Sequence, residues 1–167
     1  MGPSWYWMPD VFDRYFARFG KRTSSYYALR RLDTSYRIYF GKEDFLDIPA
    51  SPTELEELFE SLEPGSSRHL RRFLEEGKFK YEIGINSLVY KPGLSLLEFA
   101  DRDVLANAWK LHIFQSIARY LRKFFRHPRL IQLLEFPVLF LGATAERTPA
   151  LYSLMNYADM ALGTWYP

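Results

Sequence analysis

Tyr152, Asn156 and Tyr157 stand near the C-terminal end of the chain, and the spacing of four between Tyr152 and Asn156 puts both on one face of a helix. A phenol and an amide on an otherwise apolar helix each need a hydrogen-bond partner, which makes them candidates for a pocket wall or, alternatively, for plain helix packing with buried partners. A second set of side chains suits a surface. Arg119, Arg122, Lys123, Arg126 and Arg129 form a cluster of five cations with no acid between them, while Leu111, Phe114, Ile117, Ala118, Leu121 and Phe125 make one apolar stripe. That is the composition either of an interfacial helix over 111–129 facing anionic lipid, where each cation contributes roughly 1 kcal/mol, or of an ordinary buried helix with a solvated basic face. Other groups suggest less. His69, His112 and His127 lie on separate segments, so no metal site is expected, and Glu56-Glu57 and Glu75-Glu76 read as solvated helix faces.

These residues need elements to position them. Met8, Val11, Phe12, Tyr15, Phe16 and Phe19 recur at helical spacing between Pro9 and Gly20, which predicts an amphipathic helix. The runs within 26–48 are β-prone and separated by Asp33-Thr34-Ser35 and Gly41-Lys42-Glu43-Asp44, which predicts a small antiparallel meander. Ser51, Pro52 and Glu54 open a helix to about Leu62. Phe79, Tyr81, Ile83 and Ile85 alternate as in a strand, but the stripe Leu70, Leu74, Gly77, Tyr81, Ile85 and Leu88 favours one long helix from Ser66 to about Tyr90, ended by Pro92-Gly93. Several helices follow, with breaks near Asp101, between Arg126 and Pro128 and at Pro137, and a last one runs from Thr148-Pro149 to about Leu162. The fold class is therefore α+β, mainly helical with a small antiparallel sheet. Without an interdomain linker, 1–167 reads as a single domain.

Composition excludes several classes. The net charge of +2 is too small to argue for nucleic acid, and the basic cluster is one helix long without an aromatic-rich sheet surface. The chain has no cysteine, hence no disulfide, zinc–thiolate cluster or thiol nucleophile. No GxGxxG, HExxH or GxSxG occurs, so nothing cradles a dinucleotide or builds a familiar hydrolase. The opening residues lack the basic and apolar regions of a secretory leader. Aromatics reach 18% of the chain, with 12 Tyr and 14 Phe; a core and surface rich in these residues accounts for them, and the sharper reading is that part of the excess lines a cavity for a large apolar ligand.

The opening, GPSWYWMPDVF, and the close, TPALYSLMNYADMALGTWYP, resemble the phytoene desaturase (phytoene dehydrogenase) family of carotenoid-forming flavoenzymes. The matching residues are Gly2, Pro3 and Ser4 at one end and Gly163, Trp165 and Pro167 at the other, with YKPGLSLLEF over 90–99 similar to the family's middle region. The resemblance implies a substrate domain excised from a longer chain, lacking the flavin-binding segments. It implies FAD as hydride acceptor in the full-length parent, not bound to this portion alone, and a C40 polyene precursor dissolved in a membrane as substrate. Gly2, Pro3, Ser4, Gly163 and Trp165 would lie near the cofactor, and Trp5, Tyr6, Tyr152, Asn156 and Tyr157 near the substrate. Aromatic faces tolerate the cationic carbon that forms as hydride leaves, so Trp and Tyr suit such a site. No catalytic acid or base is identified. The parent would work on the cytoplasmic side, at a peripheral membrane face, with Arg119, Arg122, Lys123, Arg126 and Arg129 toward lipid. The alternative is a stand-alone lipid-binding or membrane-surface module without redox activity.

Overall fold

The computed structural model describes residues 6–85 and 109–167. Gly2, Pro3, Ser4, Trp5, the 90–99 stretch and the expected helix end at Tyr90 lie outside the described residues. The chain divides into two compact units. The first is Met1–Glu57 with Ala158–Pro167, and the second is Leu58–Tyr157. The fold is mixed α+β, mainly helical with small antiparallel sheets.

In the first unit, α1 spans Pro9–Ala17, with Pro9 in its first turn, and the chain turns away at Gly20, where φ is 65°. None of its residues is buried. Strands β2 (Tyr36–Tyr39) and β3 (Phe45–Ile48) form a hairpin in the register Tyr36↔Ile48, Ile38↔Leu46. The alternation puts Tyr36, Ile38, Leu46 and Ile48 on the covered face and leaves Arg37 and Asp47 outside, where they form a two-pronged pair at 2.6 and 2.8 Å. The expected meander is not one sheet. Strand β1 (Arg30–Arg31) leaves the hairpin and pairs instead with β4 (Trp165–Tyr166), more than 100 residues away.

Helix α2 runs Pro52–Leu62, with Ser51 Oγ accepting the Glu54 N–H at 3.5 Å. In the second unit α3 spans Ser66–Ile83 and buries Leu70, Phe73, Gly77, Lys80 and Tyr81 along one stripe. Glu60 accepts the N–H groups of Gly65 and Ser67 at 2.6 and 3.1 Å and so caps α3 with a carboxylate. Helix α4 (Ile117–Leu121), α5 (Pro128–Glu135), a 3-10 turn over Phe136–Leu141, a second over Ala150–Ser153 and α6 (Leu154–Met160) follow. The core here is dense and aromatic: the Phe73 ring lies 5.8–6.1 Å from Tyr120, Phe124 and Phe125, and Phe59 lies 5.6 Å from Phe125.

The single helix expected over 111–129 does not form. The described chain is turn up to Ser116, whose extended φ/ψ ends that turn and caps α4, its Oγ accepting the Arg119 N–H. After α4 it turns again, and Pro128 opens α5 after the break expected between Arg126 and Pro128. The apolar periodicity was a true burial signal: Leu111, Ile117, Ala118, Leu121 and Phe125 are all buried, and only Phe114 of that stripe is exposed. The stripe belongs to the core, wound onto it by short segments rather than by one helix.

Candidate functional site

The first unit brings together three of the residues singled out by sequence. Trp165 donates its backbone N–H to Tyr6 O at 3.1 Å, a bridge between the N- and C-terminal segments, and its indole donates to Leu162 O. Gly163 is buried between them with φ 88°, and a Cβ there would lie 2.6 Å from Arg31 Nε. Only glycine meets both conditions at low cost. Tyr6 pairs its hydroxyl with that of Tyr27 at 2.5 Å, and its ring lies 4.6 Å from Phe12.

An open groove of about 510 Å³ along α1 is lined by Val11, Phe12, Tyr15, Phe16 and Tyr27, room for part of a long apolar ligand. This is where the aromatic excess is not core. In the second unit Phe59, Phe73, Tyr120, Phe124 and Phe125 are buried together, although Trp109, Phe114 and Phe140 are exposed; along and beside α1, Phe12, Tyr15, Phe19 and Tyr26 are exposed.

Beside the Trp165 segment sits a group the sequence reading passed over. Asp159 is 1% exposed. Tyr36 donates to its carboxylate at 2.6 Å and Thr164 at 3.1 Å. Burial pushes its pKa up to about 6, against the opposing hydrogen bonds from Tyr36, Thr164 and Trp7. The Tyr36 phenol is in turn raised, by burial first and by the neighbouring carboxylate second.

Tyr152, Asn156 and Tyr157 belong to the second unit. Tyr152 lies in the 3-10 turn and Asn156 in α6, so the expected continuous helix is two elements. Asn156 is fully buried and donates from Nδ2 to Leu134 O at 2.9 Å, tying α6 to the end of α5. The Tyr157 ring lies 5.6 Å from Tyr81 and its Cβ would meet a side chain at Gly77 at 3.2 Å.

The second unit holds its own polar cluster. Lys80, fully buried, donates from Nζ to Ser153 Oγ at 2.9 Å and to Ala150 O at 3.2 Å, and lies 4.0 Å over the Tyr120 ring. Burial pulls its pKa down to about 7, partly countered by Glu76 and reinforced by Lys123. Tyr120 donates to Glu76, which also accepts from Arg72 at 3.0 Å. Burial pushes Glu76 up, but these hydrogen bonds and nearby cations outweigh it and its net shift is down. His112, held at φ 52°, places its ring 4.8 Å from Tyr120 and its Nε2 3.8 Å from Glu76. Glu76 is thus no solvated face. Lysine at position 80, in register with Phe73 and Gly77, was the available signal: a cation inside an apolar stripe.

Among the described residues no group of three or more His, Asp or Glu could hold a metal ion. Nor do they fit a dinucleotide. Gly20, Gly65, Gly142 and Gly163 are isolated positive-φ glycines rather than a loop, and the one at a helix start, Gly65, already gives its N–H to Glu60. A carboxylate there repels the phosphates such a turn would cradle. Of the five cations, Arg119, Arg122, Lys123 and Arg126 are exposed and Arg129 is half-buried. Arg122 lies 3.5 Å from Glu135, and Lys123 donates to Gln115 at 2.8 Å. Among the described residues no helix is long and apolar enough to cross a membrane.

No family model matches the chain. Its curated homologues are carotenoid desaturases. It is 39% identical over 168 residues to a carotenoid 3,4-desaturase of Haloarcula japonica, covering 100% of this chain and 34% of that protein. It is 27% identical to a zeta-carotene-forming phytoene desaturase of Myxococcus xanthus, covering 100% of this chain and 32% of the relative. A 4,4'-diapophytoene desaturase of Staphylococcus aureus is 30% identical, over 99% of this chain and 33% of the relative. The chain therefore spans about a third of the length of the curated relatives it matches. The resemblance read from the two ends of the sequence is borne out along its whole length.

Proposed function

We propose that this chain is the substrate-binding part of a carotenoid desaturase, in which FAD held by segments outside this chain accepts hydride from a C40 polyene precursor. The observation that carries this reading is similarity from end to end to three desaturases whose names all denote carotenoid skeletons. One feature of the structure supports it. The α1 groove is lined by apolar and aromatic side chains, the chemistry a hydrocarbon needs from its binding wall. The residues here would bind and orient the polyene and keep water from it; the redox chemistry belongs to the flavin. The protein would act at the cytoplasmic face of a membrane, where such a substrate dissolves.

The test is expression of the complete reading frame in a bacterium that accumulates a colourless C40 precursor, followed by pigment extraction. New conjugated double bonds shift absorption to longer wavelength. A folded, flavin-loaded protein that leaves the precursor and its carotenoid derivatives unchanged would overturn the reading. Replacing Phe12 and Phe16 with Ser should reduce conversion roughly tenfold or more, by the apolar contact removed, with flavin content unaltered.

A further inference from the structure

The 3-10 turn over Phe136–Leu141 is built to present apolar side chains outward. Pro137 and Val138 are buried and root it in the second unit. Gly142, at φ 63°, closes it with an N–H to Leu139 O hydrogen bond at 3.0 Å. Between root and closure, Leu139, Phe140 and Leu141 are 67%, 52% and 41% exposed. Three consecutive large apolar residues held outward by a buried proline and a left-handed glycine differ from singly scattered surface hydrophobics. The Phe136 and Phe140 rings meet edge to face at 5.8 Å, which stiffens the turn.

The chain around the turn is one-sided in charge along the sequence, and the acid the fold adds beside it is Glu63, which accepts the Arg126 and His127 N–H groups at 2.9 and 2.8 Å. Residues 117–148 carry six cations (Arg119, Arg122, Lys123, Arg126, Arg129 and Arg147) against two acids, Glu135 and Glu146. Glu135 immediately precedes the turn and is met by Arg122 at 3.5 Å, so that cation stands at the root of the turn. Arg119, Lys123 and Arg126 are exposed on the same helix and the turn that follows it.

We infer that Leu139, Phe140 and Leu141 insert into the interfacial region of an anionic bilayer, with Arg119, Lys123 and Arg126 meeting lipid headgroups. The positive balance selects an anionic surface over a neutral apolar partner, and the apolar triplet supplies anchoring that salt does not screen. This inference rests on the membrane-surface reading above but relocates its anchor, from a helix stripe that is core to a turn that is exposed. The cations alone would give binding that salt abolishes; cations with an inserting turn give a residual, salt-resistant part.

The test uses the complete protein and sedimentation with phosphatidylcholine vesicles, with and without phosphatidylglycerol. Leu139→Ser/Phe140→Ser/Leu141→Ser should weaken binding to the anionic vesicles roughly tenfold or more at both low and high salt. Arg119→Gln/Lys123→Gln/Arg126→Gln should weaken it only at low salt. Phe140→Trp, which keeps the turn apolar, should shift its emission to the blue on anionic vesicles and be quenched by brominated lipid. An unmoved Phe140→Trp emission on vesicles that bind the protein, or triple-serine binding equal to the parent's, overturns the inference. So does a vesicle-free dimer that the triple-serine variant dissociates, because a second copy would then cover the turn. The assay contains no carotenoid and reads no redox change, so its failure is distinct from failure of the pigment test.

Discussion

Asp159 in the first unit and Lys80 in the second are the same problem solved with opposite signs. Each is an ionisable side chain almost wholly out of water. Asp159 is surrounded by donors, the hydroxyls of Tyr36 and Thr164, which suit a carboxylate. Lys80 is surrounded by acceptors, Ser153 Oγ and Ala150 O, and by the face of Tyr120. Neither arrangement includes an opposite charge in direct contact, and in both burial is the dominant cause of the pKa shift. Polar neighbours satisfy hydrogen-bond geometry but do not repay the desolvation of a full charge.

The largest effects follow from that difference in sign. For Asp159 the folded pKa of about 6 exceeds the ordinary 3.8, so between these values the folded state binds more protons and stability falls as pH rises. For Lys80 the folded pKa of about 7 lies below the ordinary 10.5, so between these values the unfolded state binds more protons and stability rises with pH. Between about pH 6 and 7 each group is at least half ionised while buried, and there these two groups together cost the fold most. Each shift corresponds to roughly 3–5 kcal/mol. Urea midpoints across pH 4–10 (the titration windows above) should therefore pass through a trough near neutrality. Asp159→Asn should flatten the acidic arm alone and Lys80→Met the alkaline arm alone. A midpoint that changes neither way in the variants would remove the comparison's basis.

The two tyrosines that donate to carboxylates sharpen it. Tyr36 serves buried Asp159, and Tyr120 serves Glu76, which keeps some contact with water. Tyr36→Phe should cost about 2 kcal/mol at pH 7 and push Asp159 further up, since the charged acceptor has no water to replace the donor. Tyr120→Phe should cost about 1 kcal/mol, because solvent can replace part of what Glu76 loses. Chemical denaturation at neutral pH orders the two; equal losses would mean that Glu76 is as dry as Asp159.

How much of this was legible in sequence depends on the range of the interaction. Pro9, Gly20, Ser51 and Pro52 act within a turn of where they stand, and α1 and α2 appear where those residues put them. The β2–β3 hairpin is equally local. The pairing of Arg30–Arg31 with Trp165–Tyr166 is not, and no pattern within either dipeptide announces the other. Over 111–129 the apolar spacing correctly marked buried positions but could not show that Ser116 would interrupt the helix. The buried cluster was hidden for the same reason: Lys80 finds Ser153, and Glu76 finds Tyr120, across 73 and 44 residues. What sequence did offer was the odd residue in a stripe, and Lys80 was one.

Two glycines make a smaller comparison between the units. A Cβ at Gly77 would stand 3.2 Å from the Ser153 carbonyl oxygen and from Tyr157 Cβ, neither of which ends a flexible chain. At Gly163 it would meet the Arg31 guanidinium at 2.6 Å, which can swing aside, but φ of 88° remains. Gly77→Ala should cost about 1–3 kcal/mol through overpacking, and Gly163→Ala about 1–2 kcal/mol through backbone strain. Arg31→Ala in the Gly163→Ala background should recover little, since the strain is in the backbone; substantial recovery would assign the cost to crowding instead.

The smallest expected effect is at Arg72. Its guanidinium lies 3.0 Å from Glu76, but its side chain is 73% exposed, whereas the Tyr120 donor on the same carboxylate is buried. An exposed pair one helical turn apart gains little beyond what water supplies, so Arg72→Gln should cost less than about 0.5 kcal/mol. The sign of its pH dependence still follows. Glu76 is held below its ordinary pKa, so it contributes stability above the unfolded value that is lost as pH falls through the folded one. Removing Arg72 should shrink that acid-side loss slightly, and removing Tyr120 should shrink it more. Denaturation of the two variants at neutral and acidic pH measures the order directly. If Arg72→Gln proved the costlier change, the carboxylate would be held from the solvent side, and the contrast between buried donors and exposed cations that separates Asp159 from Glu76 would fail.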